Sequence, residues 1–318
     1  MYGLSNSYAS LGRHAEALPL REAMVAYRKL NCGPEEADTL NSMNNLANTY
    51  NNLYRFADAV KLHEEVLAIR KITFGPDHPD TLNSMNNLAV SYSGLHRYQE
   101  ACQLHEQRFE LLKQRFGPDH PETLRTINNL ASSYVNLGRH EDALKLREES
   151  LRLHRAKLGP IHSRTLDCMR MYAESLVGAG RGAEAVPIID ECIKTASAGN
   201  VYPTIVTKAL ELRLQYFAGA KDVNGCRETT RMWDNLDRTD ADSLYCKACA
   251  HAVTAAVLRV NDPEQGDAEA NQAMEILKRA VALGYRNHAH MTKDTDLNDL
   301  RDRPDFKQIM AELLATTK

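Results

Sequence analysis

The stretch TLNSMNNLA at Thr39–Ala47 recurs unchanged at Thr81–Ala89, 42 residues later. Each copy opens a longer block: TLNSMNNLANTY from Thr39, TLNSMNNLAVSY from Thr81, TLRTINNLASSY from Thr123 and an eroded TLDCMRMYAESL from Thr165. A second phrase follows in each block, YRFADAVKLHEEVL, HRYQEACQLHEQRF, GRHEDALKLREESL and GRGAEAVPIIDECI. Three blocks close on FGPDHP, FGPDHP and LGPIHS. Self-similarity at a fixed period of this length marks an array whose units bury their apolar faces against one another. The register also runs backwards, setting Tyr50 on Tyr8, Leu53 on Leu11, Arg55 on Arg13 and Ala59 on Ala17. Met1 then falls on the position of Met43, Met85 and Ile127, in the middle of a helix. This register predicts that the chain starts inside its first repeat and that further protein, with a possible upstream domain, precedes it.

Each block reads as two helices. Leu40, Met43, Leu46, Ala47, Tyr50 and Leu53 recur at three- and four-residue steps, the spacing of an amphipathic helix, and Ala59, Leu62, Val66, Leu67 and Ile69 do the same. The short turn NLYRF between them makes the pair antiparallel. Gly75 suits a left-handed C-terminal cap and Pro76 ends the second helix. Asp77, with Asp80 three residues on, is expected to cap the next helix, whose first turn tolerates Pro79. No strand-like alternation occurs. The expected fold is all-α, a right-handed α-solenoid of helix-turn-helix repeats.

Written from Met43, the block reads M-x-x-L-A-x-x-Y, with Ala59 and Val66 in the second helix. This resembles the tetratricopeptide repeat. The 42-residue period, the NNLA phrase and the GPDHP connection are similar to the kinesin-light-chain class of that repeat. The resemblance covers residues 1–194, with the first repeat truncated. It implies that the first helices line a concave groove holding extended segments of partner proteins. Residues 195–318 are expected to form degenerate helical repeats and a C-terminal cap. SLYCKACAHAVTAAVLRV and AEANQAMEILKRAVALGY resemble a helical pair, with Ala273, Leu277 and Ala280 at repeat-like spacing. The ending KDTDLNDLRDRPDFKQIMAELL is similar to the tail of repeat arrays attached to some bacterial serine/threonine kinases. A charged turn and a short amphipathic helix suit the closing of an apolar face.

At 100° per residue, Asn41, Asn45, Asn48 and Asn52 fall in one arc, with Asn44 and Asn51 to one side, all opposite the apolar stripe. Asparagine is a poor helix former. Six cost about 3–4 kcal/mol of propensity relative to alanine. In return each side chain offers both donors and an acceptor, the groups that pair with an extended backbone of any sequence. Asn45, Asn87 and Asn129 repeat as one row, and Asn44, Asn86 and Asn128 as a second. The resemblance sets both rows facing a peptide. The candidate groove residues are these six with Asn41, Asn48, Asn52, Asn83, Arg125 and Asn136. Arg170 and Met171 replace the pair in the fourth repeat, and Tyr2 and Gly3 in the first, so the ladder covers three repeats. The competing reading is that these asparagines bond to neighbouring repeats. Arg125 at the rim is read as a solvated surface arginine, with an acidic ligand as the alternative.

Other signals are weaker. Cys246, Cys249 and nearby His251 lack the second close pair that a zinc site needs, and they read as helix packing. His78 with Asp80, and His120 with Glu122, recur in loops and read as capping and turn packing. His63 and His105 are expected to be semi-buried where Arg21 and Arg147 stand in other repeats, so no common chemical role is expected at that position. Glycine-rich phosphate loops, HRD, DFG, GxSxG and HExxH are all missing. The chain is therefore expected to be no enzyme and to need no cofactor or metal. A net charge of −3 over 318 residues gives no basic footprint for nucleic acid, and no apolar run is long enough to span a membrane. Seven cysteines, an odd number without framework spacing, point to free thiols and a cytoplasmic location.

Three functions follow as expectations. The first is a scaffold holding a protein or peptide segment in the groove. The second is the substrate-recruiting arm of a truncated signalling enzyme such as a serine/threonine kinase. The third is a homo-oligomer stacked through its exposed first half-repeat.

Overall fold

The computed structural model describes residues 2–198 and 203–316. Met1, which the register sets against Met43, and the side chain of Tyr2 lie outside the described residues. Every regular element among them is helical, and the chain forms two compact units, Met1–Leu153 and His154–Lys318.

The first unit contains α1 (Tyr2–Ser10), α2 (His14–Asn31), α3 (Ala37–Asn52), α4 (Phe56–Thr73), α5 (Pro79–Gly94), α6 (Tyr98–Phe116) and α7 (Pro121–Asn136). The unit boundary falls inside α8 (His140–Leu158). From α1 to α7 each helix packs on its neighbours in sequence, and α3 also touches α5. The apolar stripe explains this. Leu40, Met43 and Ala47, with their counterparts Leu82, Met85, Ala89 and Leu124, Ile127, Ala131, are all buried. Ala17, Ala59, Ala101 and Ala143 are buried at one position of every second helix, where a small side chain lets two helices approach closely. Tyr50, Leu53, Leu62 and Ile69, at the margins of the two stripes, are only half-buried.

Polar side chains complete the packing. Tyr50, Tyr92 and Tyr134 donate to Glu22, Glu64 and Glu106 at 2.8, 2.6 and 3.0 Å. Arg55, Arg97 and Arg139 lie over the same rings at 4.5, 4.2 and 4.0 Å and pair with Asp58, Glu100 and Asp142. Each tyrosine thus joins the first helix of its repeat to the second helix of the preceding one. Tyr92→Phe is expected to lower stability by about 1 kcal/mol, the usual net value of such a bond. Urea denaturation checks this, and an unchanged midpoint would assign the stabilisation to ring packing alone.

The inter-repeat turn is built around histidine. Gly75 adopts φ +94° and ends the helix as expected. The cap of α5, however, is His78, whose Nδ1 accepts from the Asp80 amide at 3.2 Å; Asp77 is not the capping residue. His120 caps α7 in the same way, accepting from Glu122 at 3.3 Å. Phe74 and Phe116 pack on these imidazoles at 4.9 and 4.5 Å, which fixes the rings in the capping orientation.

The second unit contains α9 (Ser163–Gly178), α10 (Gly182–Ala198), α11 (Pro203–Gly219), α12 (Val223–Asp234), α13 (Ala241–Arg259), α14 (Pro263–Ala282), α15 (His288–Lys293), a 3-10 turn (Thr295–Leu300) and α16 (Pro304–Thr316). The 42-residue register continues through α9 and α10. The expected pair of degenerate helices is α13 and α14, with Ala273, Leu277 and Ala280 fully buried. Leu297, Leu300, Phe306, Ile309 and Leu313 from the last elements join the core cluster of these two helices.

Candidate functional site: the asparagine rows

The asparagines of α3, α5 and α7 do not form one uniform surface. Asn44 and Asn45, Asn86 and Asn87, and Asn128 and Asn129 are half-buried, as is Asn48. Asn41, Asn52, Asn83, Arg125 and Asn136 are exposed. The two rows meet each other. Asn87 Nδ2 donates to Asn44 Oδ1 at 2.9 Å, and Asn129 Nδ2 donates to Asn86 Oδ1 at 2.6 Å. Each clasp ties one first helix to the next. It uses one N–H and one carbonyl lone pair of a pair of amides that together offer twice that and more.

The flanks serve packing. Asn41 Oδ1 accepts from Arg70 at 2.6 Å, so this residue is held toward α4. Asn51 donates to Ser91 at 2.9 Å. The Asn48 row is broken by Val90 and Ser132, and the Asn52 row by Gly94. Gly94 is required there: a Cβ would lie 2.3 Å from the Phe56 ring. Arg125 pairs with Glu122 at 2.6 Å, and Glu122 also faces buried Arg108 at 3.7 Å. The Arg125 hydrogen bond holds the Glu122 carboxyl below its usual range. Asn83 and Arg125 come together at a hollow of about 270 Å³, walled by Leu82, Leu112 and Phe116.

A buried polar layer lies beneath the rows, and here two expectations change. His63 and His105 are fully buried, not semi-buried, and share a role with Arg21. Each reaches the hydroxyl 28 residues on: His63 Nδ1 to Ser91 at 2.9 Å, His105 Nδ1 to Ser133 at 2.8 Å, Arg21 to Thr49 at 2.6 Å. Burial pushes both imidazoles down to about 4. Arg70 and Arg108 reach hydroxyls at shorter spacings, Ser84 14 residues on and Thr126 18 residues on. These hydroxyls also donate to their own helix, as Ser84 does to Asp80 O at 3.0 Å, while the far ring nitrogens, Nε2 of His63 and of His105, are buried without a hydrogen-bond partner among the described residues. For His63, His105 and Arg21 the sequence signal is a 28-residue spacing between a basic residue and a hydroxyl, visible only once the period is known.

In the second unit, His251 stands between Glu269 at 2.6 Å and Asp234 at 3.1 Å, while Cys249 faces Asp294. The CxxC and His251 therefore face different partners. Among the described residues no three His, Cys, Asp or Glu side chains are placed to hold a metal ion. No disulfide bond joins the cysteines among the described residues. No helix among the described residues is long and apolar enough to cross a membrane.

The tetratricopeptide repeat family model matches residues 1–72, 38–114 and 122–198, and the chain belongs to that family. Proteins of this family are generally scaffolds for protein interaction. Among solved structures, the chain is similar to the nearly identical TPR-like repeats of a putative kinesin light chain from Podosopora anserina. That match has 27% identity and TM-score 0.59, covering 63% of this chain and 94% of that one. BtubC (BKLC) from P. vanneervenii shares the fold at 18% identity and TM-score 0.54, covering 63% of this chain and 79% of that one. The apo form of the quorum sensor NprR from B. thuringiensis shares it at 17% identity and TM-score 0.57, covering 87% and 75%. Among curated proteins none matches the chain.

Proposed function

We propose that the first helices α3, α5 and α7 hold an extended segment of a partner protein along the two asparagine rows. The observation that carries this reading is the pair of inter-repeat clasps. Each leaves unspent donors on Asn44 or Asn86 and an unspent acceptor on Asn87 or Asn129, on a half-buried face. Alternating donors and acceptors match the N–H and C=O of a peptide backbone, and pairing the amides fixes their rotamers before a ligand arrives. The hollow beside Asn83 and Arg125, with its apolar wall, suits a ligand side chain; Arg125 and Arg108 both line it and share the Glu122 carboxylate. The same backbone logic explains why so many weak helix formers are kept on one helix.

The test is a binding screen against extended neutral, acidic and aromatic peptides with the triple change Asn45→Ala, Asn87→Ala and Asn129→Ala. Circular dichroism and urea denaturation are run on the same samples. Two or three lost backbone bonds predict affinity reduced roughly 10- to 100-fold with helicity retained. Unchanged affinity together with lowered stability would mean that the rows serve the solenoid only.

A further inference from the structure

The second unit contains a cavity of about 440 Å³ between α11, α12, α13 and the segment that follows α15. We infer that this cavity binds a basic amino-acid residue, its guanidinium or ammonium group held by Glu211 and Asp296 and its carbonyl oxygen by the indole N–H of Trp233. The inference is independent of the asparagine rows, which lie in the other unit.

Two separate observations point to that ligand. The first is an excess of negative charge. Glu211, Asp294 and Asp296 line the cavity, and among the described residues no lysine or arginine does. Asp294 is already engaged: it accepts from the Tyr245 hydroxyl at 2.6 Å, from the Cys249 thiol at 3.6 Å and from the Asp296 amide at 3.0 Å. Among the described residues the carboxylates of Glu211 and Asp296 carry no such bond. Burial among the walls and the charge of Asp296 push the Glu211 carboxyl up, although its side chain remains open to solvent. Burial and Asp294 push Asp296 up. Lys208, one turn from Glu211 on α11, and Arg170 offset this repulsion in part, and His290 is occupied by the Tyr285 hydroxyl at 2.8 Å.

The second observation is an orphaned donor. Trp233 is 1% exposed, lines the cavity, and its Nε1–H meets no acceptor. A buried donor without a partner is costly, and a ligand oxygen would relieve it. A metal ion answers neither demand. The carboxylates do not converge as metal ligands, and the thiols stay protonated, with Cys246 pushed up to about 11 by burial and Glu211. A basic residue supplies both a cation and a neighbouring carbonyl.

Trp233 is the only tryptophan in the chain, so its emission reports on the cavity alone. The full chain is titrated with the blocked peptide acetyl-Ala-Arg-Ala-amide, with free arginine and with the citrulline counterpart of the peptide, following fluorescence and calorimetric heat. A saturable change with the arginine peptide is expected, weakened about tenfold or more by Glu211→Gln with Asp296→Asn and by added salt. Citrulline is expected to give no saturation. Because these two substitutions remove repulsion, the thermal midpoint of the double variant is not expected to fall, which separates lost binding from unfolding. Saturation by free arginine but not by the peptide would support the cation site and assign it to a free amino acid. No saturation by either probe in fluorescence and heat, or equal binding of the citrulline peptide, overturns the inference.

Discussion

Acidification from pH 6.5 to pH 4 is expected to destabilise Met1–Leu153 by on the order of 3 kcal/mol for each of His63 and His105. Both imidazoles are buried, and Nδ1 of each faces a serine hydroxyl. The other nitrogen, Nε2, is buried without a hydrogen-bond partner in both residues. Protonation would place a charge in a buried site and, at His105, a second N–H that nothing accepts among the described residues. Arg70 near His63 and Arg108 near His105 add repulsion, and the Asn44 carbonyl relieves a part of the cost for His63. The folded pKa lies below the unfolded one, so in this interval the unfolded chain binds protons that the folded chain refuses. Stability is full above the unfolded value of 6.5, falls as the pH drops toward 4, and levels off below it. Glu122 acts in a different window. Its carboxyl is held low, and its contribution is lost only as the pH falls through the carboxylate range. The measurement is urea stability against pH for wild type and for His63→Gln with His105→Gln. Glutamine keeps a hydrogen-bonding group but does not titrate. The double variant is expected to lose most of the slope between pH 6.5 and 4; an unchanged slope would place the acid sensitivity elsewhere.

The second unit carries the opposite sign at His251. Burial alone would lower this imidazole, but Glu269 and Asp234 more than offset it and the net shift is upward. Its contribution is present below the unfolded value and is lost as the pH rises through the folded one. Hydrogen exchange resolved by segment would therefore show the two units responding differently to acid.

Arg213→Ala is expected to cost the second unit about 3 kcal/mol, the larger share from emptying a buried, fully bonded site. Arg213 is 2% exposed. Its guanidinium donates to Asp190 on α10 at 2.8 Å, and to Glu228 at 2.6 Å and Thr229 at 2.5 Å on α12, while Phe217 packs over it. One side chain on α11 thus joins three helices. Asp190 and Glu228 are partly exposed and rehydrate once unpaired, which keeps the loss near the lower end for a broken buried pair. Arg213→Lys keeps the charge but has no planar fork, and about half the loss is expected. Arg213→Met fills the volume and should fall between alanine and wild type. Chemical denaturation of the three variants distinguishes them; a loss under about 1 kcal/mol for alanine would rank this site with surface ion pairs.

Much of the fold was legible in the chain itself. A period of 42 residues, with apolar positions at helical steps inside it, leaves an array of antiparallel helix pairs as the way to bury those positions. The turn histidines were legible for the same reason, since a residue that recurs in a loop is doing work for the loop. Which residue accepts from the helix was not, because Asp77 and His78 both precede it and both read as capping residues, and only backbone geometry shows which one reaches the Asp80 amide. The asparagines were legible as a polar face but not as pairs. A helical wheel projects one helix onto a plane, and it has no place for the helix 42 residues away that supplies Asn87 to Asn44.

By itself, then, the sequence determined the repeat, its helical period, its apolar seams and the recurrence of its polar positions. These are local and periodic properties, and each is set by spacing along the chain. Only the tertiary structure decided which amides clasp, that His63 and His105 are buried with Nε2 unpartnered, and that Trp233 shares a cavity with Glu211 and Asp296. Those outcomes depend on contacts between residues far apart in the chain. Hydrogen-bond partners and desolvation are fixed by such contacts, and neither has a period that can be read from one helix.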